Sequence, residues 1–171
     1  MKFQIKTFYI LTGLMLISAC GYRLTGTGTS LPAHLKTVAI PVFKNTSTEP
    51  NIQREMTNVI RQSFINDGRL KVVNKDEADL VMKGVLNSYT LQAVSFDTND
   101  VALAYFVALG INIDVRDMVK HKPFLKQNFT TKWDFRAQTN VINSEAARLA
   151  ALNSAYKELG NRLVSIVIDQ F

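Results

Sequence analysis

Val101-Ala102-Leu103-Ala104-Tyr105-Phe106-Val107-Ala108-Leu109-Gly110-Ile111-Asn112-Ile113-Asp114-Val115-Arg116 is the stretch that decides the fold. Every odd position is large and apolar: Val101, Leu103, Tyr105, Val107, Leu109, Ile111, Ile113 and Val115. The even positions carry small or polar residues, with Phe106 the one exception. Alternation with period two over this length predicts a long β-strand with one face in a core. The other face is low at Ala102, Ala104, Ala108 and Gly110 and must meet water or a partner.

On the C-terminal side, Lys120-His121-Lys122-Pro123 reads as a turn. The returning strand sets Phe129, Trp133 and Phe135 on one face. Lys126, Asn128, Thr130, Lys132, Asp134 and Arg136 share the other. Asn143-Ser144-Glu145 then opens a long helix with the stripe Leu149, Leu152, Tyr156, Leu159, Leu163 and Ile166.

On the N-terminal side, Asp97-Thr98-Asn99-Asp100 is a turn. It fails as a calcium loop, because Ala102 and Ala108 stand where a glycine and a glutamate are needed. Residues 78–96 are apolar on both faces, with Leu80, Met82 and Leu86 against Val81, Val85 and Tyr89, and predict a central strand, with Gly84 marking a bulge. Thr37 to Phe43 is a short β-rich run whose end lies near Pro41, which has no N–H for a ladder. Thr48-Glu49-Pro50 looks like a helix start, and Ile52, Met56, Val59, Ile60 and Phe64 follow at helical spacing. Gly68 suits the left-handed stop, and Leu70 to Val73 is another short strand. Strand, helix, strand in this order predicts a crossover between parallel strands. The expected fold is α+β: two helices packed on one face of a mixed four- to five-stranded sheet.

The N-terminus states a location. Lys2 and Lys6 precede the short apolar run 8–17, and Ile17-Ser18-Ala19-Cys20 closes it. A basic head, an apolar middle and small residues before a cysteine have the order of a bacterial lipoprotein signal. Cys20 is the expected lipid-attachment site, carrying a diacylglycerol on its thiol and an acyl chain, such as palmitate, on its freed amine. The run is too short and too interrupted to span a bilayer. Gly21 in place of aspartate favours the outer membrane under the enterobacterial sorting rule. The expected organisation is a signal peptide at 1–19, an acylated N-terminus and tether rich in Gly, Thr and Ser at 20–33, and one domain at 34–171.

Cys20 is the only cysteine, so its acylation leaves no thiol for a disulfide, a catalytic nucleophile or a cysteine metal site. Twenty basic side chains against fourteen acidic ones give a net charge of +6. In the periplasm the polyanions to consider are phosphorylated lipids and lipopolysaccharide rather than nucleic acid. His34 and His121 have neither metal-pair spacing nor a neighbouring nucleophile motif, so no enzyme activity, metal or cofactor is expected. The feature with functional potential is basic: Lys120, Lys122, Lys126, Lys132 and Arg136 against Asp134 alone. Such residues recognise phosphate. They equally protect an edge strand from aggregation, and both readings stand at this point.

Several pieces in order resemble the LptE family of lipopolysaccharide-assembly lipoproteins. They are Cys20-Gly21-Tyr22-Arg23-Leu24, Leu31-Pro32, Lys36-Thr37-Val38-Ala39-Ile40-Pro41, Phe43, Asn45-Thr46, Glu49-Pro50, Asp67-Gly68-Arg69-Leu70 and Ala78-Asp79-Leu80. The resemblance implies two helices on a small sheet, seated as a plug in the outer-membrane β-barrel LptD. It implies help in assembling that barrel and in delivering lipopolysaccharide to the cell surface. The expected lipopolysaccharide-binding residues are then Lys122, Lys126, Lys132 and Arg136, and the expected barrel contacts Ala102, Ala104, Ala108 and Gly110. The competing readings are a generic periplasmic lipoprotein that binds peptidoglycan or scaffolds an envelope complex, and an envelope hydrolase.

Overall fold

The computed structural model describes residues 31–137 and 141–169, apart from the side chains of 141 and 142. Cys20, the expected signal peptide at 1–19 and most of the expected tether at 20–33 lie outside them. The elements run β1 Thr37–Ala39, β2 Lys44–Asn45, α1 Ile52–Asp67, β3 Lys71–Val72, β4 Leu80–Phe96, β5 Ala102–Asp117, β6 Lys122–Arg136 and α2 Val141–Ile168. The expected α+β architecture is present, with six strands rather than four or five. The extra strand is β2, just past the expected run from Thr37 to Phe43. That run breaks ahead of Pro41, which has no N–H for a ladder: β1 stops at Ala39 and β2 starts at Lys44. Helix α1 occupies the polar groups left by the break. Arg61 Nε donates to the Ile40 carbonyl at 2.7 Å, and the Phe43 N–H donates to Thr57 Oγ1 at 3.0 Å.

The sheet order is β3-β1-β4-β5-β6, and β2 also pairs with β4. β1 is parallel to both β3 and β4, so strand, helix and strand form the expected crossover. The long strands β4, β5 and β6 are antiparallel. Their register lines up Met82, Val115 and Leu125 in one row, and Leu86, Ile111 and Phe129 in another. These join Met56, Ile60 and Phe64 of α1 and Leu152, Tyr156, Leu159 and Leu163 of α2 in one buried cluster. Leu31 packs against it too, three residues ahead of the expected domain start.

Four local expectations are corrected. Gly84 pairs regularly with Ile113; the register shifts lie at Leu86/Ser88 and nearer the end of β4. What Gly84 provides is room, because a Cβ there would run into the Phe43 ring. The Leu86/Ser88 shift moves Tyr89 to the helix side, opposite Leu109. Tyr89 then shares Arg148 with Glu49 and Glu145. Helix α1 starts after Asn51, which is left-handed at φ 64°, so Thr48-Glu49-Pro50 lies in the preceding turn. Helix α2 starts at Val141, ahead of Asn143, and Leu149 is 52% exposed. The rest of the stripe is in place: Leu152, Tyr156, Leu159 and Leu163 are buried and Ile166 is half-buried, with Ala151 and Ala155 added between them.

Candidate functional site

The helix-free face of the sheet holds a concavity of about 470 Å³. Alternation and register build it. Lys83 on β4 pairs with Asp114 on β5, which pairs with Lys126 on β6. One step along, Lys44 of β2 pairs with Val85, which continues to Asn112 and Asn128. Neighbours across strands on one face have Cβ atoms about 5 Å apart, so these rows form a compact floor. Pro41 and Val42, from the break between β1 and β2, and Lys75, from the 3₁₀ turn Lys75–Glu77, complete the rim. Val42 is 51% exposed, an apolar side chain held at the mouth.

The charge is one-sided. Lys44, Lys75, Lys83 and Lys126 line the groove with Asp114 as its only acid. That acid is already 3.6 Å from Arg116 Nε. None of the four lysines forms an ion pair among the described residues. The groove thus offers four ammonium groups beside an apolar wall. That combination suits a phosphorylated, partly apolar ligand. Among the described residues no group of three or more His, Cys, Asp or Glu is placed to hold a metal ion.

The structure separates the basic residues expected to act together. A strand rises ~3.3 Å per residue. Lys132 is therefore about 20 Å, and Arg136 about 33 Å, from Lys126 along β6. Lys132 is also engaged, with Nζ 3.9 Å from the Phe106 ring centre and 3.9 Å from an Asp134 oxygen. Arg136 lies opposite Ala104, and Lys122 opposite Asp117 at the turn. Of the four, only Lys126 lines the groove. Lys44, Lys75 and Lys83 were missed. Lys83 was readable from its parity with Val81 and Val85, whereas Lys44 and Lys75 reach the groove only through long-range pairing.

Ala102, Ala104 and Ala108 lie half-buried on the helix-free face. Gly110 is different. A Cβ there would meet Ser88 Oγ and come within 2.8 Å of Asn87 Oδ1, so its low surface is already filled by β4. Asn87 Nδ2 donates in turn to Asn112 Oδ1 at 3.0 Å.

Two carboxylates fix the margin of this face. Asp79 accepts the backbone N–H groups of Lys36 and Thr37, at 2.8 and 3.0 Å. The Lys36 N–H is the main cause that holds its carboxyl below the usual range. Burial pushes the Asp117 carboxyl up. The His34 ring and the Lys120 and Val119 N–H groups outweigh that and leave it lowered. No helix among the described residues is long and apolar enough to cross a membrane.

Fold and groove together define a two-layer α+β domain whose open sheet face carries a lysine-lined groove. The chain belongs to the LptE family of lipopolysaccharide-assembly proteins, whose family model matches residues 35–165. No curated protein matches it significantly. Solved structures share the fold at low identity. An uncharacterised lipoprotein B from Nitrosomonas europaea is 15% identical, with TM-score 0.53, covering 84% of this chain and 92% of that one. The rare lipoprotein B from Shewanella oneidensis is 11% identical, with TM-score 0.52, over 72% and 90%. PelC from Paraburkholderia phytofirmans, a dodecamer, is 12% identical, with TM-score 0.54, over 83% and 96%. Fold alone does not choose between such proteins; the site has to.

Proposed function

We propose that this chain is an outer-membrane lipoprotein, acylated at Cys20 and facing the periplasm. It plugs and helps assemble an LptD-like β-barrel, and it takes part in lipopolysaccharide transport to the cell surface by binding rather than by catalysis. Membership of the LptE family supports the assembly role. The observation that carries the ligand half is the convergence of Lys44, Lys75, Lys83 and Lys126 beside Pro41, Val42 and Val85. The ammonium groups take the phosphates of lipid A, and the apolar wall takes adjoining hydrocarbon. Ala102, Ala104 and Ala108, further along the same face, offer the barrel wall a close approach.

Each exposed charge pair contributes only ~0–1 kcal/mol, so the lysines act as a set. Joint reversal, Lys83→Glu with Lys126→Glu, is expected to weaken lipopolysaccharide binding at least about tenfold. The effect shrinks as salt rises, because screening acts over ~8 Å at physiological ionic strength. Lys132→Glu with Arg136→Glu is expected to do less, and Lys157→Glu on α2 is the control. A folded Lys83/Lys126 double variant that binds as tightly as the parent at low salt would leave these lysines the role of protecting the sheet.

A further inference from the structure

The described chain comes in beside the β5–β6 turn. His34 Nε2 lies 2.9 Å from the Asp117 carboxylate, which is 1% exposed at the end of β5. The other Asp117 oxygen accepts the Lys120 N–H at 2.8 Å. One buried carboxylate therefore holds both the approach to β1 and the shape of the turn. That turn presents Met118 and Val119, 39% and 52% exposed, beside exposed Lys120, His121 and Lys122. Tight turns favour Gly, Asn, Asp, Ser and Pro, so two apolar residues displayed there are a local departure. Asp117, the one acid at the turn, is buried and occupied, so the charge turned outward is positive.

We propose that this turn is a second membrane contact. Met118 and Val119 enter the boundary between headgroups and acyl chains of an anionic phospholipid leaflet, and Lys120 and Lys122 meet its phosphates. The position of the chain identifies the occupant. Cys20 precedes His34 by fourteen residues, and the chain that would carry its lipid enters the described fold at this end, at His34 beside Asp117. The opposite turn, 97–100, lies about 50 Å away along β5. Apolar tips ringed by cations bind anionic interfaces by combining burial with headgroup attraction. The inference rests on the reading of Cys20 as lipid-bearing.

The test uses the full, processed protein in vesicles of phosphatidylethanolamine and phosphatidylglycerol with brominated acyl chains. Trp133 is the only tryptophan, so Trp133→Phe gives a dark background. Val119→Trp is expected to shift to the blue and lose about half its emission, since interfacial segments sit ~5–10 Å into the boundary. Asn99→Trp in the distal turn is expected to do neither. A dye on Val119→Cys gives the same reading if tryptophan perturbs the turn. Unquenched emission at 119 from protein that floats with the vesicles overturns the contact. So does a blue shift without bromine quenching, which would place the turn against protein. Equal quenching in phosphatidylcholine vesicles overturns the role of the two lysines. A chain that does not float, yet is quenched at 119 when vesicles are added, loses the lipid anchor and keeps the turn contact. A chain that does neither overturns both.

Discussion

Gly84 illustrates how one residue is fixed by a neighbour far from it in sequence. The Phe43 ring, 3% exposed, occupies the space a Cβ would need. Gly84→Ala is expected to destabilise the fold by about 1–3 kcal/mol, the usual cost of overpacking. Denaturant unfolding of Gly84→Ala, Phe43→Leu and the double variant checks the cause. The double variant should cost less than the sum of the singles, because the smaller side chain makes room. Strict additivity would remove the ring from the explanation. The sequence marked Gly84 as exceptional within a strand, but a bulge and a close approach leave the same mark. Only the position of Phe43 separates them. Tyr89 is similar: its face was misassigned because a register shift at Leu86/Ser88 has no signature in alternation alone.

Among the elements, β1 is the one whose place depends most on a single side chain. It is three residues long, and the Asp79 carboxylate holds the Lys36 and Thr37 N–H groups at its start. Thr37 Oγ1 returns the contact by accepting the Asp79 N–H at 2.8 Å. Asp79→Asn is expected to cost about 1–2 kcal/mol at neutral pH, as an ionised acceptor is replaced by a neutral one. The folded carboxyl is lowered from 3.8. Its contribution is therefore complete above that value and is lost as pH falls through the lower folded one. Urea unfolding at pH 7 and near pH 3 should show the gap between parent and variant narrowing in acid. A gap independent of pH would mean that the charge is immaterial. The types of the longer elements were legible, since strands and helices are written in local periodicity. Their ends were not. β1 stopped two residues ahead of Pro41, the two-residue β2 past Phe43 is too short to show a period, and α2 began ahead of its apparent cap.

For the whole molecule, the consequence of the two-layer design is an open sheet face. Both helices lie on the other side, so substitutions on the open face leave the core alone. Ala104→Arg with Ala108→Arg is expected to keep the fold, read by circular dichroism. On the proposed role, it should lower co-purification of the LptD-like barrel about tenfold, since an obligate contact above ~2,000 Å² would tolerate little bulk at its centre. Full recovery of the barrel would move the contact elsewhere, and loss of the fold would reverse the assignment of faces. The sequence by itself determined the two faces of β5, the amphipathic stripes of the helices and the parallel crossover. Each of these is a pattern among near neighbours, where side-chain direction follows from backbone period. Tertiary structure alone decided the groove. Lys44, Lys75, Lys83 and Lys126 come from four segments, and they converge because β2 pairs with β4 while β4, β5 and β6 hold one register. The same pairing drew Lys132 and Arg136 away from Lys126. Shared parity puts residues on one face, but distance along a strand, at ~3.3 Å per step, decides which of them can hold one ligand.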